Sequence, residues 1–477
     1  MGYLSIDFFI LVCIVLIVYY HIPHKYQWQI LLIASLIFYT SLGIDFLPFL
    51  LFVSASTYFG AIIMKRMKQQ KKWIFMLVIG SNASVWFVTK VLFQNAYFSR
   101  NIVFDVIVPI GISYYVLQAI SYLVDVYKGK TSVEKSFFRY LLFLSYFPTV
   151  IQGPISRYEE IQKQLFKYKK FNIDSFLYHT TLILLGIIKK LVVADRIAIF
   201  ANYCFTNFSH IKGITLYLGA LAYTIQIYTD FSGCVDICRG ISGLFGIELT
   251  HNFNSPYFAM SIKEFWNRWH ISLGRWLKDY IYIPLGGNQK GTLRKYLNLI
   301  ITFGISGIWH GAGTNFILWG IMQAVFQIMD ECTEKIRKKI KKILMIEKES
   351  FSEKLYRTLI TFHLTMLSWI VFRSSNIRTA LIYIRNMFSS VNMGLLFGED
   401  LSSLGINTAF FMVLAIHICI LIYIDFQHKN SRNIIISIRN SHILIRFCIY
   451  MLIIYDILLF GVYGQGYNIS GFLYGGF

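Results

Sequence analysis

The chain has 477 residues, of which 56% are hydrophobic and only 14% are charged, against about a quarter charged in soluble domains. Its mean hydropathy is +0.55 and its formal net charge is +21. These values exclude a water-soluble globular protein. They do not point to nucleic acid either, because the basic residues cluster beside long apolar runs.

Apolar runs of roughly twenty residues without paired charges mark bilayer-crossing helices. In chain order they cover residues 5–20, 28–42, 45–64, 73–89, 102–126, 176–193, 213–230, 297–308, 315–328, 355–372, 408–424 and 442–463. Backbone polar groups in hydrocarbon must be satisfied within the segment, and no series of short alternating segments suggests a barrel. The expectation is an all-α polytopic membrane protein with about 11–12 membrane-crossing helices. The first run lacks a basic leader and a small-residue cleavage site, so it reads as a retained helix and not a signal peptide. Residues 141–155 are apolar but short and interrupted by Pro148, Gly153 and Pro154, which predicts a re-entrant segment facing a protein-lined cavity. Trp28, Trp73, Tyr19 and Tyr20 fit interfacial belts.

Lys65, Arg66, Lys68, Lys71 and Lys72, then the lysines of 163–170 and 335–342, mark cytoplasmic loops by the positive-inside rule. Counting back three spans from Lys65 sets the amino terminus outside. Partners of this charge pattern are membrane lipids, and no nucleic-acid role is expected. The seven cysteines form no disulfide framework. Cys234 and Cys238, four apart, lack nearby His or carboxylate ligands, and His21 and His24 in the first loop are only two ligands, so no metal site is expected. No internal repeat is found.

The serine-hydrolase elbow, the H-E-x-x-H zinc helix and the phosphate-binding P-loop are all missing. What remains is a concentration of His, Trp, Gly and amide residues between Asp230 and Asn315. Residues 297–327 contain no Asp, Glu, Lys or Arg, and His310 is the group there able to titrate near neutrality. An ionisable residue at membrane depth is a functional hypothesis, because its burial costs free energy. Gly304, Gly307, Gly311 and Gly313 surround Trp309 and His310 and allow close approach of a backbone or a ligand. A hydrogen-bonded interhelical histidine is the bland alternative; the charge-free setting favours function.

Residues 261–287 are too charged to span. Ile262, Phe265, Trp266, Trp269, Leu273, Trp276 and Leu277 repeat at helical spacing, with Lys263, Asn267, Arg268, Arg275 and Lys278 elsewhere on the wheel, which predicts an amphipathic interfacial helix. His270 falls on the apolar stripe four residues after Trp266, pointing inward. Taken alone it reads as a structural, hydrogen-bonded histidine. The Arg and Lys face fits either a lipid-headgroup anchor or a dock for cofactor phosphates.

Several blocks carry a resemblance because they occur in one order: Pro-Ile-Gly-Ile-Ser-Tyr-Tyr from Pro109, Leu-Gln-Ala-Ile-Ser-Tyr-Leu-Val-Asp-Val-Tyr from Leu117, Phe-Pro-Thr-Val-Ile-Gln-Gly-Pro-Ile from Phe147, Lys-Lys-Leu-Val-Val-Ala-Asp-Arg from Lys189, Asp-Phe-Ser-Gly from Asp230, Asn-Phe-Asn-Ser-Pro-Tyr from Asn252, Phe-Trp-Asn-Arg-Trp-His-Ile-Ser-Leu from Phe265, Tyr-Ile-Pro-Leu-Gly-Gly-Asn from Tyr282 and Trp-His-Gly from Trp309. The series resembles the membrane-bound O-acyltransferase (MBOAT) family, in the branch of alginate and peptidoglycan O-acetylation membrane proteins. The resemblance implies one membrane domain over 1–477, with peripheral helices at 1–100, a catalytic core at 101–375 and C-terminal helices at 376–477. It implies a funnel-like bundle with re-entrant and interfacial helices in the bacterial inner (cell) membrane. It makes His310 the active-site histidine and His270 the second recurrent histidine. The ending from Phe472 to Phe477 departs from the Phe-Ile-Tyr-Phe-Gln-Phe common in that branch, which puts any partner contact of the tail in doubt.

The resemblance implies O-acyl transfer with no bound cofactor: an acyl group, acetyl from acetyl-CoA in this branch, passes from a cytoplasmic thioester donor to a hydroxyl outside. A neutral imidazole in a dry cavity can take the hydroxyl proton, and burial keeps it in the base form. Trp309, Asn315, Asp230, Asn252, Trp266, Trp269, Arg268 and Arg275 are the expected substrate-binding residues, with Asn315 a candidate to polarise the thioester carbonyl. The alternatives are D-alanyl transfer to teichoic acid from a carrier protein, and a polymer transporter or flippase; the latter should show two related halves with broken helices. The longest polar connections, 158–174 and 331–353, are lysine-rich and cytoplasmic, which leaves nothing outside to grip a polymer. The resemblance accordingly implies a separate extracytoplasmic partner of the SGNH serine-nucleophile type.

Overall fold

The computed structural model describes residues 1–92, 109–311, 313–343, 350–389 and 406–463. The described residues are helical wherever a span was expected, and they pack as two compact units. Five helical stretches, Ile44–Arg66, Lys68–Lys90, Phe351–Arg373, Thr408–Lys429 and Ile443–Phe460, are long and apolar enough to cross a membrane. The first part of the expected 102–126 span lies outside the described residues; the helix there is Ile112–Tyr127. The tail from Phe472 also lies outside them.

The first unit includes Met1–Ile187 and Cys234–His251. Its helices bury an aromatic core in which Phe8 packs on Phe38 at 4.9 Å between ring centroids and Phe38 on Phe147 at 6.4 Å. The expected re-entrant stretch begins as a short helix, Phe137–Ser145, and continues without helix to Tyr158, almost wholly buried. Pro148 and Pro154 cannot donate the backbone bonds that a continuing helix needs. The loop leaves Gly111 no room for a side chain: its φ is +79°, and a Cβ there would stand 2.0 Å from the Val150 carbonyl oxygen.

The second unit comprises Ile188–Gly233 and Asn252–Ile469 and holds both histidines of interest. Its centre is the antiparallel pair Gly291–His310 and Thr314–Ile343. The two backbones touch. A Cβ on Gly307 would lie 2.3 Å from the Phe316 carbonyl oxygen, and one on Gly320 would lie 2.2 Å from that of Phe303. Small residues at such crossings are how helices in lipid gain packing where water cannot drive them together. Gly304, expected to serve that purpose, has open space where its own Cβ would be; Gly320 is the residue that approaches it.

Candidate active site

The largest correction to the sequence-based expectation lies in 261–287. A single amphipathic helix is not formed: Ile262–Arg268 and Ile271–Leu277 are separate short helices, with Trp269 extended and His270 in the left-handed region at φ 45°. The cause is Asn252. Its backbone carbonyl accepts the Ile271 N–H at 3.1 Å and its side-chain oxygen accepts the Ser272 N–H at 3.0 Å, which satisfies the first donors of the second helix from outside. Asn254 N–H donates to the Arg268 carbonyl at 3.0 Å, and Phe253 pairs with Trp269 as an isolated antiparallel bridge. A left-handed non-glycine residue persists only where its surroundings impose it, a pattern concentrated at functional sites.

His270 is inward-facing, as expected, but for this reason and not through helical spacing. It is 1% exposed and packs edge-on against Phe231 at 4.7 Å. Burial pushes its imidazole down to about 3, so it is neutral at physiological pH. His310 ends the helix Gly291–His310 and is 2% exposed. Its ring is boxed by Trp309 at 4.8 Å, Trp319 at 5.1 Å and Phe372 at 5.2 Å. Trp309 also reaches His270 at 6.1 Å. One indole therefore joins the two histidines into a single site.

The other expected residues divide. Trp266 lies 5.7 Å from Trp319, and Trp269 lies 5.1 Å from Trp369, which stacks on Trp319 at 5.8 Å; both tryptophans extend the box around His310. Asn252 shapes the turn that presents His270. Asn315 donates to the carbonyls of Ser374 at 2.9 Å and Phe372 at 3.4 Å, fixing the segment that carries Phe372. Arg268 is engaged by Glu264 at 2.8 Å and by the Asn254 carbonyl at 3.1 Å, whereas Arg275 lines a cavity. Asp230 is not on that cavity's wall; its carboxylate meets the Lys190 ammonium at 2.6 Å.

The cavity, of about 630 Å³, is lined by His270, Trp266, Phe303 and Ser306 together with Lys263, Arg275, Lys278, Lys295, Asp330, Glu331 and Glu334. The carboxylates are spoken for: Glu331 by Lys295, Glu334 by Lys338 and Asp330 by Arg337. Lys263 and Lys278 have no carboxylate partner among the described residues. Its size falls within the range that takes a small-molecule ligand, and its wall combines apolar residues with cations. Sequence reasoning missed Trp319, Gln323 and the cavity wall from 299–306 and 327–334. Their signal was an i, i+4 series of polar-edged residues, Asn315, Trp319, Gln323 and Gln327, on one apolar helix.

Residues 69–343 match the MBOAT, membrane-bound O-acyltransferase, family. Over 380 residues, 79% of this chain and 73% of the relative, the chain is 34% identical to a probable alginate O-acetylase AlgI of Pseudomonas fluorescens. It is 34% identical over 402 residues, 75% of this chain and 73% of the relative, to a peptidoglycan O-acetyltransferase of Helicobacter pylori. A teichoic acid D-alanyltransferase of Bacillus subtilis is 28% identical over 243 residues, 49% of this chain and 61% of the relative. The match covers more than half of the chain and includes His270, His310 and the cavity. The chain belongs to the membrane-bound O-acyltransferase family: it is a multi-pass membrane O-acyltransferase.

Proposed function

We propose that this protein transfers an acetyl group from a cytoplasmic acetyl thioester, acetyl-CoA, to a hydroxyl of a cell-envelope or exopolysaccharide acceptor chain outside a bacterial inner membrane. The observation that carries the reading is the pair of buried histidines joined by Trp309 beside a cavity with cations on its wall. His310 is the base: it takes the proton of the acceptor hydroxyl as that oxygen bonds to the thioester carbonyl carbon. The resulting oxyanion collapses, the C–S bond breaks, and the leaving thiolate takes the proton back from His310. Products are an ester and a free thiol. His270, neutral at physiological pH, lines the cavity and orients the donor. Greater identity and coverage to the O-acetylases than to the D-alanyltransferase favours acetyl over D-alanyl.

The cavity supports CoA as donor through Lys263 and Lys278, whose ammonium groups suit phosphates. The lysine-rich end of Thr314–Ile343 adjoins the cavity-lining residues 327–334, which supports a cytoplasmic side for the donor. Charge reversal in Lys263→Glu/Lys278→Glu is expected to raise KM for acetyl-CoA about tenfold, equivalent to about 1.4 kcal/mol, with kcat little changed and with the wild-type KM rising with salt. An unchanged KM in the double variant would remove CoA phosphates from this surface.

The acceptor is reached through a partner, by the same reading. The connections 158–174 and 331–353 are lysine-rich and read as cytoplasmic, which supports a serine-nucleophile protein of the SGNH type that receives the acetyl group outside and passes it to the polymer. Reconstituted alone in liposomes, the chain is expected to consume acetyl-CoA slowly and to leave polymer on the opposite side unmodified; full-rate polymer acetylation without a second protein would sink the relay.

A further inference from the structure

The helix Thr314–Ile343 places Trp319 and Gln323 one turn apart on the same face. Trp319 lies against His310, and Trp266, which stands on the cavity wall, lies against Trp319. Trp266 Nε1–H donates to Gln323 Oε1 at 3.2 Å. An indole nitrogen can only donate, so this bond fixes which end of the carboxamide is which. The oxygen faces Trp266, and the NH2 group faces away from it. Gln323 is 0% exposed, and its Nε2 has no acceptor among the described residues. The indole N–H groups of Trp319 and Trp369 share that condition, while Trp319 stacks on Trp369. Buried donors left without acceptors are costly and call for a reason. Three of them, linked to one histidine through Trp266 and Trp319, one with its orientation set by a neighbour, suit a ligand that brings an acceptor oxygen.

We infer that Gln323 is a catalytic residue whose Nε2–H donates to the carbonyl oxygen of the bound acyl thioester and holds it as it becomes the oxyanion. The inference rests on the donor and the base proposed above. As the acceptor oxygen bonds to the carbonyl carbon, the carbonyl π electrons move onto the oxygen held by Gln323; as the C–S bond breaks they return, and the hydrogen bond relaxes. Trp266 is a positioning residue for this group, since without its N–H the carboxamide is free to turn.

The experiment uses the full chain in liposomes with acetyl-CoA as the probe and free CoA release as the readout. Gln323→Leu is expected to lower kcat roughly 100-fold with KM nearly unchanged. Gln323→Glu keeps an oxygen for Trp266 and replaces the donor by an acceptor; its kcat relative to wild type is expected to rise as pH falls, because a protonated carboxyl regains an O–H donor. That recovery separates a donor from a merely structural side chain, even where the Leu variant folds poorly. Trp266→Phe is expected to lower kcat less than Gln323→Leu. Wild-type kcat in Gln323→Leu, a loss confined to KM, or a pH-independent Gln323→Glu ratio overturns the inference. A wild-type protein that releases no CoA, or a His310→Ala variant that keeps full turnover, instead overturns the reading on which it rests.

Discussion

His310→Ala is expected to lower acyl transfer by about 10²- to 10⁴-fold, the usual contribution of a positioned general base, while leaving the protein folded and membrane-inserted. The histidine ends its helix and meets its surroundings through Trp309, Trp319 and Phe372, so its removal opens space without undoing the Gly307 and Gly320 contacts. His270→Ala is expected to cost less, since that residue lines the cavity and its proposed role is to orient the donor. His270 stays neutral down to about 3, so the shape of the pH profile between 5 and 7 is expected to persist in His270→Ala. Acetyl-CoA turnover of monodisperse variants across that range decides the matter; equal losses, or normal turnover in His310→Ala, would reverse or remove the roles.

Lys190→Met is expected to be the most destabilising substitution in the second unit. The Lys190 ammonium meets Asp230 at 2.6 Å and Asp195 at 2.9 Å, with all three side chains no more than 7% exposed. Removing the cation leaves two buried carboxylates facing one another, and breaking such a cluster costs about 3–5 kcal/mol. Lys190 lies in the π-helical turn Ile188–Ala194, and the neighbouring Leu191 carbonyl accepts the Val462 N–H at 3.0 Å, so the C-terminal helix Ile443–Phe460 is expected to loosen as well. The thermal midpoint in detergent should fall sharply in Lys190→Met and recover largely in Lys190→Met/Asp195→Leu/Asp230→Leu, where no uncompensated charge remains. An unshifted midpoint in the single variant would mean that the cluster does not hold the unit together.

The contrast between Asp230 and His310 shows what a sequence of this kind discloses. The spans were legible because hydrocarbon demands long apolar helices, and His310 stood out because it interrupts a charge-free run. Asp230 was chosen as a substrate ligand for its place in an ordered block, yet its partner is forty residues away and only the folded chain brings Lys190 to it. The signal was present in a lysine inside an apolar run, which must find a counter-charge. The break at His270 was not legible. Periodicity favoured one continuous helix, and the competing bonds come from Asn252, a residue outside that segment. Trp319 and Gln323 were hidden for the opposite reason: in an apolar helix they look like ordinary core and amide residues, and only their unsatisfied N–H groups distinguish them.

The close backbone contact at Gly307 and Gly320 also determines where evolution can retune this enzyme. A single methyl group at either glycine would push apart the helices that carry His310 and Gln323, so this crossing leaves almost no room for drift and holds the spacing between those two residues as one rigid gauge. The wall built from Ile262–Arg268 and Ile271–Leu277 is hinged at one residue and held from outside by Asn252. A change of acyl group would therefore be written into those two short helices, leaving the gauge untouched.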